Sequence, residues 1–491
     1  MPIKKASPIF KAAAKPSPGP AGLSQRCSAL RSGLMDDGLL LPQAGVPEND
    51  GEQNLSWKVS PEPFRMDPDD LRFLEALGPR LLGFYRALNR LYFGSLRGTQ
   101  PAWVAAYLDQ GKPDSVLALG RMNRFKQHLP GIIRPDLIPT ESGWMATELD
   151  AVPGGMGITG ALAAGYSSFG DQIIGGANGM VNGFARMIRS LSDSPDPGLA
   201  VIISEEAKDY RPEMEWLGRQ LDNTGLQTRV IRPEEVRFSD DGLTMDDNGT
   251  PFTIDVVYRF FEMFDLQNVA QSEVIFTAAK KRQTVLTPPA KAFLEEKMAF
   301  ALFHHPALRP FWMDQLGEET DHELRKLFPL TWILDPGAVP PHAVIPDLIH
   351  QGKSVSNWRE LHHATQKERR LIIKPSGFSE LAWGSRGVIA GHDHSEKDWI
   401  QYLDKAVAGF PENPSVLQRF HQGKKFTVWR ESDSGGEPFP MKGRARISPY
   451  YFVEGNNTIL GGVLATVCPL DKKLIHGMSD AVMTACALAD R

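Results

Sequence analysis

Cysteine is scarce in this chain: three in 491 residues, Cys27, Cys468 and Cys486, with no CxxC pair. So few thiols support neither a disulfide framework nor a thiolate zinc site. They suit a reducing compartment, and the expectation is a cytoplasmic protein. Long apolar runs are missing too. With no stretch of about 18 apolar residues, no membrane span is expected. The N-terminus lacks the apolar core of a secretory signal. Neither charge sign dominates. Lys and Arg number 54 against 59 Asp and Glu, a net charge of −5, so nothing marks a nucleic-acid surface. No Walker A sequence and no GxSxG occurs, which leaves P-loop chemistry and serine hydrolysis without their motifs. The histidines, among them His304-His305, His362-His363 and His392 with His394, show no zinc-site spacing.

What is present is material for a large core. Apolar residues make up 42% of the chain, and the length implies more than one domain. Residues 1–65 read as a disordered tail, rich in Pro and Gly and, over positions 1–35, basic without an acid. The prolines of residues 7–20 favour a tail over an amphipathic transit peptide. A second part, 66–197, opens at Asp67-Pro68, a cap followed by a first-turn proline. Leu71, Leu74, Leu77, Leu81, Tyr85, Leu88 and Leu91 follow at helical spacing, and Gly78-Pro79 should kink or divide the helix. In the third part, 198–285, residues 199–204 form a continuous apolar run. A helix through Trp216 and Leu217 follows, then strands near 228–231 and 252–259. This rhythm predicts an α/β unit with a parallel sheet. No GxGxxG opens it, so a dinucleotide site has no support there. In the fourth part, 286–491, Thr287-Pro288-Pro289 is read as the cap of a helix reaching about Phe303. Strands are expected at 371–375, 415–418 and 425–429, with a hairpin at 446–453 and 458–467. Ser395 should cap a helix between them.

Several clusters could carry chemistry. Extended segments 131–138 and 144–152 flank a turn at 140–143. Residues i and i+2 of a strand share a face, so Glu148 points with Asp150, and Arg134 with Asp136. If the turn centres on Ser142, Asp136 lies opposite Glu148 and three carboxylates gather on one face. Like charges so close oppose pairing. A bound cation removes the conflict, and hard oxygen ligands suit Mg2+. The competing expectation is a solvated face of a surface hairpin, and a slip of one residue would turn Asp136 away. Next, Lys374-Pro375 ends an apolar strand and meets a Gly/Ser-rich stretch containing Ser376, Gly377, Gly384, Ser385 and Gly387. Loop N–H groups can cradle phosphate oxygens, glycines permit the approach, and the lysine adds charge. An ordinary surface loop is the plainer alternative. Gln418 begins a stretch, 418–423, able to offer polar groups to an adenine edge, or simply to lead into a turn. Arg444 and Arg446 can both face a phosphate or an acyl phosphate, or both face solvent. Glu454-Gly455-Asn456-Asn457 has turn composition and is read as a turn.

Taken together, these segments resemble the circularly permuted ATP-grasp family, as in the synthetase domain of glutathionylspermidine synthetase. In that family an Arg-x-Asp segment precedes Glu-x-Asn. Here Arg134-Pro135-Asp136 precedes Glu148-Leu149-Asp150 at similar spacing, with Asp150 for the usual Asn. Ala151-Val152-Pro153-Gly154-Gly155 is similar to the stretch that follows, residues 255–259 to a family strand, and Lys374-Pro375 to its lysine strand. Gly461-Gly462-Val463 is similar to its late Gly-Gly segment, and Ala465 stands where many relatives are basic. The acids come before the lysine strand, which is the permuted order. The resemblance spans about residues 115–490. It implies an α/β (α+β) ATP-grasp fold that includes the strand–helix–strand unit. It also implies ATP and Mg2+ as cofactors. Asp136, Glu148 and Asp150 would be the metal ligands. Lys374, Ser376, Gly377, Gly384, Ser385, Gly387, Gln418 and Arg444 would surround the nucleotide, and Arg134 and Arg446 would be catalytic charges. The implied activity is carboxylate–amine ligation through an acyl phosphate, on small-molecule or peptide substrates. Two alternatives use the same scaffold: a phosphotransferase, and an inactive binding protein. Neither nucleic acid nor a membrane is an expected partner, and the oligomeric state is not readable.

Overall fold

The structure is a computed structural model and describes residues 19–41, 56–337, 339, 343–433, 436–472, 474–475, 477 and 480–489. Strands Phe439–Glu454 and Asn457–Pro469 pair as one long antiparallel hairpin, turned at Gly455-Asn456, where Gly455 takes φ +60°. The turn is the one expected from composition, and both arms are longer than the sequence suggests. Around this hairpin an eight-stranded sheet forms. Its order is Lys58–Val59, Val482–Leu488, Asn457–Pro469, Phe439–Glu454, Ile132–Thr140, Gly143–Asp150. Lys425–Arg430 also pairs with Phe439–Glu454, and Phe64–Met66 with Val482–Leu488.

Side chains alternate across such a strand. Ala445, Ile447 and Tyr451 enter one core with the helix Pro68–Leu96. Tyr450 and Phe452 enter a second core with helices Met156–Ser168 and Gly179–Leu191. Arg444, Arg446 and Ser448 continue that second face beyond the covering helices. The helix Pro68–Leu96 starts at Asp67-Pro68 as expected, but runs unbroken through Pro79 rather than dividing. A Cβ on Gly78 would meet Thr458 Oγ1 at 2.5 Å and Tyr451 at 2.7 Å, so glycine sets how closely this helix lies on the sheet.

Part of the expected tail is a helix, Pro20–Asp36. Leu23, Cys27, Leu30 and Leu34 are buried, a helical stripe hidden among Ser, Gly and Pro. Residues 1–18 and 42–55 of that expectation lie outside the described residues. The strand–helix–strand region holds four parallel strands in the order Val285–Thr287, Val256–Phe260, Leu199–Ile203, Thr228–Ile231. Helix Arg211–Asn223 crosses between the last two. Thr287 ends a strand rather than capping a long helix, and residues 288–305 hold the 3-10 turn Ala292–Glu295 and the short helix Met298–His304.

A separate antiparallel sheet runs Thr331–Ile333, Ser415–Arg419, Leu371–Pro375, Ile389–Ala390. Helix Glu396–Ala408 backs it with Trp399 and Leu403. Ser395 caps this helix, its Oγ accepting from the N–H of Asp398 at 3.1 Å. Residues 419–424 then lead from this sheet into the large one. Among the described residues no helix is long and apolar enough to cross a membrane.

Candidate functional site

A cleft of about 680 Å3 opens between the eight-stranded sheet and the four-stranded antiparallel sheet that carries Lys374. Its lining includes Asp136, Thr147, Glu148, Lys374, Gln418, Arg444 and Arg446. The acids reach it through a β-bulge. The hairpin turn is tighter than expected, with Thr140 opposite Gly143. An uninterrupted ladder from there would set Asp136 against Thr147 and turn Glu148 to the back. Instead the register shifts between Asp136 and Leu137. Leu137 faces Ala146, and Asp136 faces Glu148. Thr147 is the extra residue, and both Thr147 and Glu148 reach the cleft. The bulge also places the Thr147 carbonyl where it accepts from Lys374 Nζ, across the cleft, at 2.9 Å.

Arginine resolves much of the like-charge conflict expected here. Asp136 is 2% exposed. It accepts from Ser448 Oγ at 2.9 Å and pairs with Arg134 and Arg446, each at 3.1 Å. Arg134 also pairs with Asp150 at 2.9 Å and donates to Gly154 O at 3.0 Å. Burial raises the Asp136 carboxyl, but Arg134 and Arg446 outweigh it and hold the group below the usual carboxylate range. Burial, reinforced by the Glu148 charge, raises Asp150 despite Arg134. Asp150 accepts from the N–H of Val152 at 2.9 Å and is not in the cleft lining. Glu148 pairs loosely with Lys297, at 3.6 Å. Among the described residues no three Asp, Glu, His or Cys gather closely enough to enclose a metal ion on their own.

Lys374 is 6% exposed. Its Nζ donates to Thr147 O and to Gln418 Oε1, both at 2.9 Å. Burial lowers its pKa to about 8. Gln418 in turn donates to Thr331 Oγ1 at 3.2 Å, so both ends of its amide are occupied in orienting the lysine. Arg444 donates to Leu470 O at 3.2 Å. The Nε groups of Arg444 and Arg446 are buried without a hydrogen-bond partner among the described residues.

The Gly/Ser-rich stretch behaves differently from expectation. The N–H of Ser376 donates to Pro414 O at 2.8 Å, and that of Gly377 to Glu296 Oε2 at 3.2 Å. A Cβ on Gly377 would lie 2.0 Å from Glu295 O, so its bareness serves backbone packing. Gly387 packs on Pro375 and Leu381 O, 2.7 and 2.9 Å from where its Cβ would stand. None of these three lines the cleft, whereas Val388 does. Gly384 and Ser385 sit in the short turn Glu380–Ser385, with their side-chain positions outside the described residues. Sequence reasoning missed Thr147 and Ser448. Ser448 was within reach, two residues beyond Arg446 on the same face. Lys297 gave no signal.

Beside the cleft, Glu213 accepts from the N–H groups of Gly155, Gly157 and Ile158 at 3.2, 3.1 and 3.4 Å. It closes the start of helix Met156–Ser168 with a carboxylate from the chain itself. Burial pushes its pKa up to about 7 despite those donors. Between the ordinary 4.5 and 7 the folded chain therefore holds more protons than the unfolded one, and stability falls as pH rises through that window. The loss should total about 3 kcal/mol. Denaturation at pH 5, 6, 7 and 8 should show it in the wild type and not in Glu213→Gln. A variant keeping the full slope would assign it elsewhere.

No protein-family profile matches the sequence, and no curated protein sequence matches it. Among solved structures, the chain is similar to the apo form of GSS30, a glutathione synthetase-like effector from Globodera pallida. The TM-score is 0.55 at 11% identity, covering 96% of this chain and 98% of that one. A Methylobacillus flagellatus KT protein with the provisional name gamma-glutamylcysteine synthetase superposes at a TM-score of 0.39. Its identity is 11%, over 80% of this chain and 83% of that one, and at that score it carries no argument. The end-to-end match to GSS30 shows a shared fold, a mixed α/β architecture of several sheets.

Proposed function

We propose that the protein is an ATP-dependent carboxylate–amine ligase with a circularly permuted ATP-grasp layout, acting in the cytoplasm on small-molecule or peptide substrates. The observation that carries this reading is the convergence, across one cleft, of Lys374 from the small sheet with Glu148, Asp136 and Arg446 from the large one. The glutathione synthetase-like fold supports it. So does the chain order, with the acid hairpin at Ile132–Asp150 ahead of the lysine strand Leu371–Pro375.

In this reading a substrate carboxylate oxygen attacks the γ-phosphorus of ATP. The bond to the β–γ bridging oxygen breaks and ADP leaves. An amine then attacks the acyl carbon, the bond to phosphate breaks, and the nitrogen gives up a proton. Lys374, as an ammonium, holds the α/β-phosphates. Arg446, fixed by Asp136, offsets charge on the transferring phosphoryl group, and Arg134 holds the acids in place. Such catalysis is positioning and electrostatics and needs no side-chain nucleophile.

The donor set fits Mg2+ shared with phosphate oxygens rather than caged by protein. Glu148, loosely partnered and facing the cleft, would hold it together with Asp136, while Asp150 chiefly serves Arg134. When bound, the ion supplies neutralisation of phosphate charge.

Calorimetric titration of ATP with and without Mg2+ tests the site. Wild type should bind in the micromolar range only with Mg2+, and Glu148→Ala should weaken binding by about 10–100-fold. Binding untouched by the substitution would move the metal elsewhere. No binding by folded wild type would sink the ligase reading in favour of an inactive scaffold. A phosphorylated product in place of an amide would favour the phosphotransferase.

A further inference from the structure

A second pocket, of about 540 Å3, lies away from the cleft. It is formed by helix Pro68–Leu96, residues 124–131, the end of helix Gly179–Leu191 and the strand Val285–Thr287. Arg86, Arg90, Arg124 and His128 line it, and its described lining contains no acid. The hydrogen bonds of these arginines go to neutral groups. Arg86 donates to Asn456 Oδ1 at 2.8 Å and Gly455 O at 3.4 Å, and Arg90 to Gln315 Oε1 at 2.8 Å. Nearby Arg80 and Arg121, by contrast, pair with Glu319 and Asp109. Two polar atoms here are buried without a partner among the described residues: Arg124 Nε and the hydroxyl of Thr287. Thr287 is itself only 2% exposed.

An unpartnered buried polar group costs free energy, and guanidinium groups around one void repel one another. An oxyanion would offset both. The His128 imidazole registers the same positive field: burial first, then the charges of Arg124 and Lys291, hold it below its usual value. Leu82, Leu129 and Leu286 complete the wall, leaving room for a carbon skeleton behind the charged group.

We propose that this pocket binds a small organic oxyanion, its carboxylate or phosphate group held by Arg86, Arg90 and Arg124 with the Thr287 hydroxyl as a further donor. The site is independent of the ligase reading. The test is calorimetric titration of citrate and of inorganic phosphate into the full chain. At least one should bind saturably. Citrate alone would mark a carboxylate site, and phosphate a phosphate site. The Arg90→Gln/Arg124→Gln variant should weaken binding at least tenfold. Arg90 is exposed, so Arg90→Gln alone serves as a second variant safe for folding, and it should weaken binding severalfold. Lys374→Met should leave binding unchanged. The proposal is overturned if neither probe binds, if binding persists in the double variant, or if it disappears with Lys374→Met. ATP titration of the same arginine variants keeps this result separate from the fate of the cleft.

Discussion

Replacing Lys374 with methionine should lower kcat/KM for amide formation by about 10²–10³-fold, the loss typical when one preorganised donor to developing charge is removed. Methionine nearly preserves the buried volume, so the effect should be one of charge. The lysine enters the cleft already desolvated and already oriented by Thr147 O and Gln418 Oε1. It need not reorganise when phosphate arrives. Its pKa of about 8 gives the prediction a second arm. ATP binds the ammonium form, so ATP affinity should fall about fivefold between pH 8 and pH 9 as the free protein loses that proton. Lys374→Met should lack this fall. Turnover and calorimetry across pH decide the matter. A variant within severalfold of wild type at pH 7 would remove the lysine from the phosphate site.

Lys112→Met should destabilise the chain by about 3–5 kcal/mol, because it strands a buried carboxylate. Lys112 and Glu296 form an ion pair with both side chains fully buried. The other oxygen of Glu296 accepts from the N–H of Gly377, so this pair anchors the loop that follows Lys374. The double variant Lys112→Met/Glu296→Gln should recover most of the loss, because a neutral amide can stay buried at far lower cost. Chemical denaturation of the two variants and wild type checks this. Equal losses in the single and double variants would mean that packing, not the stranded charge, sets the cost.

What could be read from sequence was whatever depends on period and local chemistry. The apolar run Leu199–Ile203 and its crossover helix declare a parallel sheet, and Ser395 declares a helix start. The pairing of Asp136 with Glu148 was legible in outcome and not in cause. A turn centred on Ser142 and a tighter turn plus a bulge give the same cross-strand partners. What could not be read depends on contacts distant in sequence. Nothing around Arg134 says that it will sit between Asp136 and Asp150. A Gly/Ser-rich stretch after a lysine looks like a phosphate cradle, but Gly377 is bare because Glu295 passes 2.0 Å from where a Cβ would be. The helix Pro20–Asp36 escaped because its apolar stripe is sparse and flanked by prolines, so its burial comes from the second core rather than from propensity. The basic pocket draws Arg86, Arg90 and Arg124 from two chain segments and closes them with Thr287, 163 positions beyond Arg124. No spacing rule spans such a distance.

The bulge at Thr147 also bears on how this chain can drift over generations. Cross-strand partners are fixed at the bulge, not at the hairpin tip. The exposed tip, Glu141-Ser142, can therefore gain or lose residues while Asp136 and Glu148 stay opposite each other. A single insertion between Glu148 and Asp150 would have no such freedom, since it would turn Asp150 to the other face and take it from Arg134. Descendants of this fold are expected to vary in the count of residues separating the Arg-x-Asp segment from its facing acid. What they should share is two residues opposing one, a trait that aligned letters hide and superposed backbones reveal.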